Sequence, residues 1–187
     1  MKTEADLRAR LQEAALELFC ERGYDRTTAA EIAARTGVTE RTFFRHFPDK
    51  REVLFAGESV LRSLLTDSIA DAPAGLSPLA TLFRAFRSVE TVLEANRQFA
   101  APRQQVIVAT PALRERELTK HAALADALAK ALEARGIGHM ASVLAGLTGM
   151  AAFVYATVSW LENPVPSIGE RLDLAATELQ TLLVEDE

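Results

Sequence analysis

Apolar positions recur at helical spacing almost from the start of the chain. Leu7, Leu11, Ala14, Ala15, Leu18 and Phe19 fall on one face of a helix expected over residues 3–22, and Gly23 stops it. Thr28 and Glu31 then form the S/T-x-x-E pattern of a capping box. Ala30, Ile32, Ala33 and Ala34 propagate that second helix, with Ala33 small enough to let a neighbour come close. Gly37 ends it by accepting a left-handed backbone. Val38 is placed to pack between two helices, and Thr39 is the N-cap of a short third helix over residues 40–46. Phe43 and Phe47, four apart, share its inner face, and Pro48 closes it. Asp49 and Glu52 open a long helix that Val53, Leu54, Val60, Leu61, Leu64 and Leu65 carry to about residue 70.

Residues 71–78, rich in Pro, Gly and Ser, break the chain. Five further helices are expected, over residues 78–95, 97–109, 110–136, 139–161 and 167–184. Pro102 bends the second of them, Pro111 takes the first turn of the third, and Ser167 with Glu170 caps the last. No strand-like alternation persists and no internal period appears. The fold class read from this pattern is all-α: an N-terminal three-helix helix-turn-helix domain over residues 1–55, followed by a C-terminal helical bundle over residues 56–187. The boundary is expected on the long helix near Phe55, because the loop lies well beyond the third helix.

Two short helices joined by a tight turn are the layout of a DNA reader, whose second helix enters the major groove. The outer face of the third helix holds Thr39, Glu40, Arg41, Thr42, Phe44, Arg45 and His46. Arg there suits guanine edges, and Thr or Phe suits a thymine methyl. Lys50, in the first turn beyond, suits a phosphate oxygen. Between Arg35 and Arg51 there are five Lys/Arg against two acids, so the electrostatic support is local.

Residues 8–55 resemble the N-terminal domain of the TetR family of bacterial transcriptional regulators. The resemblance rests on Ala14, Leu18, Phe19, Gly23, Tyr24, Thr28, Ile32, Ala33, Gly37, Val38, Thr39, the run Thr42 to Phe47, and Lys50. It implies that Thr28, Thr42, Phe44, His46 and Lys50 face DNA. Two positions depart from the family pattern: Arg41 stands where Gly is common, and Phe44 where Tyr is common. Phe44 lacks a hydroxyl for phosphate and is read as an apolar contact; Arg41 reads a base or reaches a phosphate.

Charge divides the chain. Residues 1–55 carry ten charges of each sign, so the whole net charge of −5 lies in residues 56–187. That polarity orients the neutral N-terminal end, and not the acidic remainder, toward DNA. The single cysteine, Cys20, excludes an intrachain disulfide and is expected as a small core residue. Glu4 and Asp6 in an N-terminus without an apolar run are unlike a secretory signal, which points to the cytoplasm. Residues 140–161 hold 22 positions without a charge, long enough to span a bilayer. Ser142, Thr148, Thr157 and Ser159 dilute the stretch, and no Lys/Arg cluster flanks it. It is therefore read as a helix buried on both sides, against its own subunit and against a second copy, with no membrane contact.

Catalysis finds no support. His46, His121 and His139 are far apart, and there is no H-E-x-x-H, cysteine pair, P-loop or G-x-S-x-G. No cofactor or metal is expected. A ligand pocket in the C-terminal bundle is expected among Phe83, Phe86, Arg103, Ile107, His121, Met150, Phe153 and Tyr155, which combine apolar walls with a few polar groups. Its occupant would be an apolar or amphipathic small molecule. The last two helices would form the homodimer seam through Val143, Leu147, Val154, Val158, Leu172, Ala175, Ala176, Leu179 and Leu183. Together with the family resemblance these readings imply a ligand-responsive repressor that binds a palindromic duplex operator as a homodimer. The rival reading is a DNA-binding adaptor answering to a protein partner.

Overall fold

Capping chemistry sets where the helices begin. The computed structural model describes residues 4–183, and among them the order is α1 (Glu4–Arg22), α2 (Ala29–Thr36), α3 (Glu40–His46), a 3-10 turn (Glu52–Phe55), α4 (Glu58–Ala70), α5 (Pro78–Ser88), α6 (Glu90–Ala109), α7 (Pro111–Ala134), α8 (His139–Glu162) and α9 (Ile168–Leu183). No strand occurs among the described residues. The helix ends expected at residues 3 and 184 lie outside the described residues. Ser77 caps α5 through the Ala80 amide, with Pro78 in the first turn. Ser167 and Glu170 exchange the two bonds of a capping box before α9.

The chain divides into two compact units: residues 1–58 with 98–115, and residues 59–97 with 116–187. In the first, Leu11, Leu18, Phe19, Ile32, Ala33, Phe43 and Phe47 form one apolar core with Val53, Leu54 and Phe55. Val106, Ile107 and Leu113 from α6 and α7 complete it, and Val38 packs on it half-buried. Each fully buried Phe, Ile or Leu contributes roughly 1.5–3 kcal/mol.

Three expectations need correction. The helix after Asp49 is not continuous. Residues Glu52–Phe55 wind as a 3-10 turn and α4 starts afresh at Glu58. Gly57 is a poor helix former, and the Leu54 carbonyl accepts a 2.5 Å bond from Arg103 Nε. The next break falls at Val89, not near residue 96. There the Ser88 hydroxyl bonds back to the Ala85 carbonyl at 2.7 Å, a local competitor of the helix ladder, and α6 runs on through Pro102. Cys20 is exposed, because it stands one position beyond Phe19 and so off the buried stripe of α1.

In the second unit α8 packs against α5 and α9. Its glycines permit close approach: a β-carbon at Gly146 would stand 2.8 Å from the Ala125 carbonyl oxygen, and one at Gly149 would meet Leu82. Phe86 and Phe153 stack with centroids 4.6 Å apart, and Trp160 is 1% exposed. One side of α8 is thus covered within the subunit, while Met140, Leu144, Leu147 and Tyr155 remain in water. Leu172 is buried in its own subunit and so is unavailable to the expected seam. Leu183's side chain lies outside the described residues.

Candidate DNA interface

The reading helix is built by two caps and a wedge of aromatic rings. The Thr39 hydroxyl accepts from the Thr42 amide at 3.2 Å and lies 3.0 Å from the Thr42 hydroxyl, fixing the first turn of α3. Gly37 holds φ +75° at the end of α2, the left-handed geometry that turns the chain toward Thr39. Phe43 and Phe47 point into the core with ring centroids 5.6 Å apart, so the opposite side of α3 faces outward. Phe44 stays exposed, edge-on to Phe43 at 5.4 Å. Thr39, Glu40, Arg41 and Arg45 are exposed and Thr42 is half-buried.

Thr28 joins this surface from the start of α2. Its hydroxyl accepts from the Glu31 amide at 3.2 Å and donates to the Glu31 carboxylate at 2.9 Å, which also accepts from the Thr28 amide at 2.8 Å. The Thr28 amide bond, more than any other contact, holds the Glu31 carboxyl below its usual range. Arg22 adds a 3.0 Å ion pair to Glu31, while Arg35 engages Glu17 at 3.1 Å and Glu21 at 3.0 Å. These pairs neutralise Arg22 and Arg35 within the protein. Arg41 and Arg45 are exposed on α3 and make no such pair among the described residues.

Two of the sequence-derived contacts are placed differently from the rest. The His46 side chain is only 4% exposed, with Nδ1 4.0 Å from Glu4 Oε1 and a buried Nε2 that finds no partner among the described residues. Lys50 donates to the Tyr24 carbonyl at 2.8 Å and the Thr27 carbonyl at 2.9 Å, with Nζ 4.1 Å from the Tyr24 ring centre. Sequence spacing marks both positions as near α3 but cannot show that packing buries His46 or that backbone carbonyls engage the Lys50 ammonium.

The expected pocket residues divide between the units. Arg103 and Ile107 belong to the first, where Ile107 is core and Arg103 lies 5.0 Å over the Phe55 ring. Phe83, Phe86, Met150 and Phe153 are buried in the second unit. His121, Met150 and Tyr155 meet in a groove of about 620 Å³ between α7 and α8. Leu147, Val154 and Val158, expected at the dimer seam, line it too, and sequence reading missed Ala122, Ala125, Ala151, Ser159 and Glu162; the α8 members recur at three- and four-residue spacing, a signal equally consistent with core. Among the described residues no cluster of His, Cys, Asp and Glu has metal-ligand geometry.

Known proteins resemble this chain in part of its sequence and in its fold. The sequence model for "Bacterial regulatory proteins, tetR family" matches residues 11–56. The HTH-type transcriptional regulator TcmR of Streptomyces glaucescens is 43% identical over 75 residues, which is 40% of this chain and 33% of TcmR. The chain thus matches about a third of the length of that relative. MftR of Mycobacterium tuberculosis, named for regulation of mycofactocin biosynthesis, is 25% identical over 88% of this chain and 85% of its own. Among solved structures, a SmeT–triclosan complex superposes with a TM-score of 0.68 at 21% identity, covering 96% of this chain and 92% of that one. FadR of Thermus thermophilus, a TetR-family repressor bound to lauroyl-CoA, gives 0.58 at 26% identity over 96% of each chain. With the reading-head residues and the relatives in agreement, residues 11–56 of this chain are a DNA-binding domain of the kind found in the tetR family of bacterial regulatory proteins, and the remainder shares the fold of the solved structures.

Proposed function

We propose that this chain is a ligand-responsive transcriptional regulator, a repressor that binds a palindromic operator as a homodimer. The observation that carries the reading is the outer side of α3, where Arg41 and Arg45 are exposed and paired with nothing among the described residues. Arg41 would bond a guanine edge and Arg45 a base or phosphate, while Thr42 and Phe44 would contact a thymine methyl. Thr28, Thr39 and Glu40 complete the surface, while His46 is buried beneath it and Lys50 would reach a phosphate only by releasing the Tyr24 and Thr27 carbonyls. Two copies would join through α8 and α9, burying Leu147 and Tyr155, and the dimer would match two half-sites about one helical turn apart.

The effector would be an apolar or amphipathic small molecule held in the C-terminal bundle. It would act by preferring one dimer geometry, shifting α4 and so the spacing of the two reading heads. The relatives support the class, since FadR was solved with lauroyl-CoA and SmeT with triclosan. The place of action is the cytoplasm, where a duplex-DNA regulator works.

Selection of bound fragments from random duplex DNA tests this reading. An enriched inverted repeat supports both DNA recognition and two-fold symmetry. No enrichment, together with an affinity that does not fall with salt, would overturn it.

A further inference from the structure

Arg41, Phe44 and Arg45 stand at positions i, i+3 and i+4 of α3 and so neighbour one another on its surface. Phe43 and Phe47 face the core, but the Phe44 ring is 49% exposed and is braced edge-on by Phe43, 5.4 Å away. A phenyl ring carries no donor or acceptor, so it adds no hydrogen bond to a phosphate or a base edge. What it can gain in a major groove is burial against an apolar group. The base edges there present one, the C5-methyl of a pyrimidine.

The spacing of the side chains fixes which bases they share. Three residues advance about 4.5 Å along a helix, and one base-pair step is about 3.4 Å. Arg41 and Phe44 therefore reach neighbouring base pairs when α3 lies along the groove. Thr42 is half-buried with its hydroxyl 3.0 Å from that of Thr39, so Phe44 offers the larger apolar surface of the two. Arg41 has its own target, since a guanidinium suits the O6 and N7 of guanine.

We propose that α3 reads a pyrimidine C5-methyl group through Phe44, in the base pair next to the guanine that Arg41 contacts. The proposal rests on the DNA-binding reading above and deepens it by naming what each half-site must present. A phenyl ring does not distinguish the thymine O4 from the cytosine N4 amine. Thymine and 5-methylcytosine are thus equivalent to Phe44, and unmethylated cytosine is not. Binding then responds to cytosine methylation wherever a cytosine takes the place of that thymine.

The full chain is first used to select duplexes from a random library. Each thymine of the enriched half-site is then replaced singly by uracil, and the same base pair by cytosine–guanine with and without the C5-methyl. Thymine against uracil, and 5-methylcytosine against cytosine, differ by one methyl group only. At a pair beside guanine, loss of the methyl should weaken wild-type binding roughly three- to fivefold in both comparisons, the worth of burying one methyl. Phe44→Ala should remove both differences, and Phe44→Gln should do so if the alanine variant fails to fold. Phe44→Leu, still apolar, should retain part of them. Arg41→Ala should relax preference at the adjacent guanine pair. Indifference to uracil at every thymine, an effect at thymine with none at cytosine, or methyl differences that persist in the folded Phe44→Ala or Phe44→Gln chain overturns the assignment. So does relaxation by Arg41→Ala away from the methyl-sensitive pair. Each of these results leaves the operator reading intact, whereas failure to enrich any sequence ends both.

Discussion

Lys50 grips Tyr24 by both its backbone and its ring: the ammonium donates to the Tyr24 carbonyl at 2.8 Å and lies 4.1 Å from the ring centre. With the further bond to the Thr27 carbonyl, one side chain beyond α3 pins the loop between α1 and α2. Lys50→Met should therefore lower stability by about 1–3 kcal/mol, the range for hydrogen bonds to a charged group, read from the urea midpoint. Affinity for operator and for random duplex should fall together. Full stability with lost DNA binding would show that Lys50 serves phosphate and does not hold the loop.

Tyr24 gives this region an alkaline limit. Burial pushes its hydroxyl from 10 up to about 12. A group whose folded value is raised keeps its proton longer in the native state. Its contribution is complete below 10 and is lost as pH climbs toward 12. Wild type should lose more stability across that interval than Tyr24→Phe, and parallel denaturation curves for the two would refute the assignment.

The capping box at α2 has the opposite dependence. The Glu31 carboxyl is lowered from 4.5, so what it adds is present above 4.5 and fades as pH falls through the lowered value. Glu31→Gln should flatten that acid limb. Thr28→Ala, which removes the cap, should cost about 0.5–2 kcal/mol at neutral pH by chemical denaturation.

Arg41→Ala should weaken selected operators by roughly 1–3 kcal/mol and relax preference at one base pair per half-site. Binding curves against single-base variants check this. An unchanged preference with uniformly weaker binding would move Arg41 from the base edge to the phosphates.

Gly146→Ala tests the packing of α7 on α8. Its added carbon meets backbone, the Ala125 carbonyl, which cannot turn aside, and should cost about 1–3 kcal/mol by thermal unfolding. Gly169→Ala meets only the ends of the Arg87 and Glu90 side chains, which can rotate away, and should cost less. Equal losses would show that α7 and α8 separate easily.

The reading head was legible because its signals are local. Thr28, Gly37 and Thr39 act within a few residues, and the observed bounds of α2 and α3 follow them. Breaks set by tertiary partners were not legible. Arg103 reaching the Leu54 carbonyl from 49 residues away leaves no trace near Gly57. Nor does periodicity tell a buried cysteine from Cys20, a single step off the stripe.

The uncovered side of α8 also bears on how this chain behaves in dilute solution. A lone copy leaves Met140 74% and Tyr155 73% exposed beside Leu144 and Leu147. If pairing covers them, folding and association share one equilibrium, and mass action makes the melting temperature climb with protein concentration. Its abundance would then set both how much is folded and how much can occupy DNA.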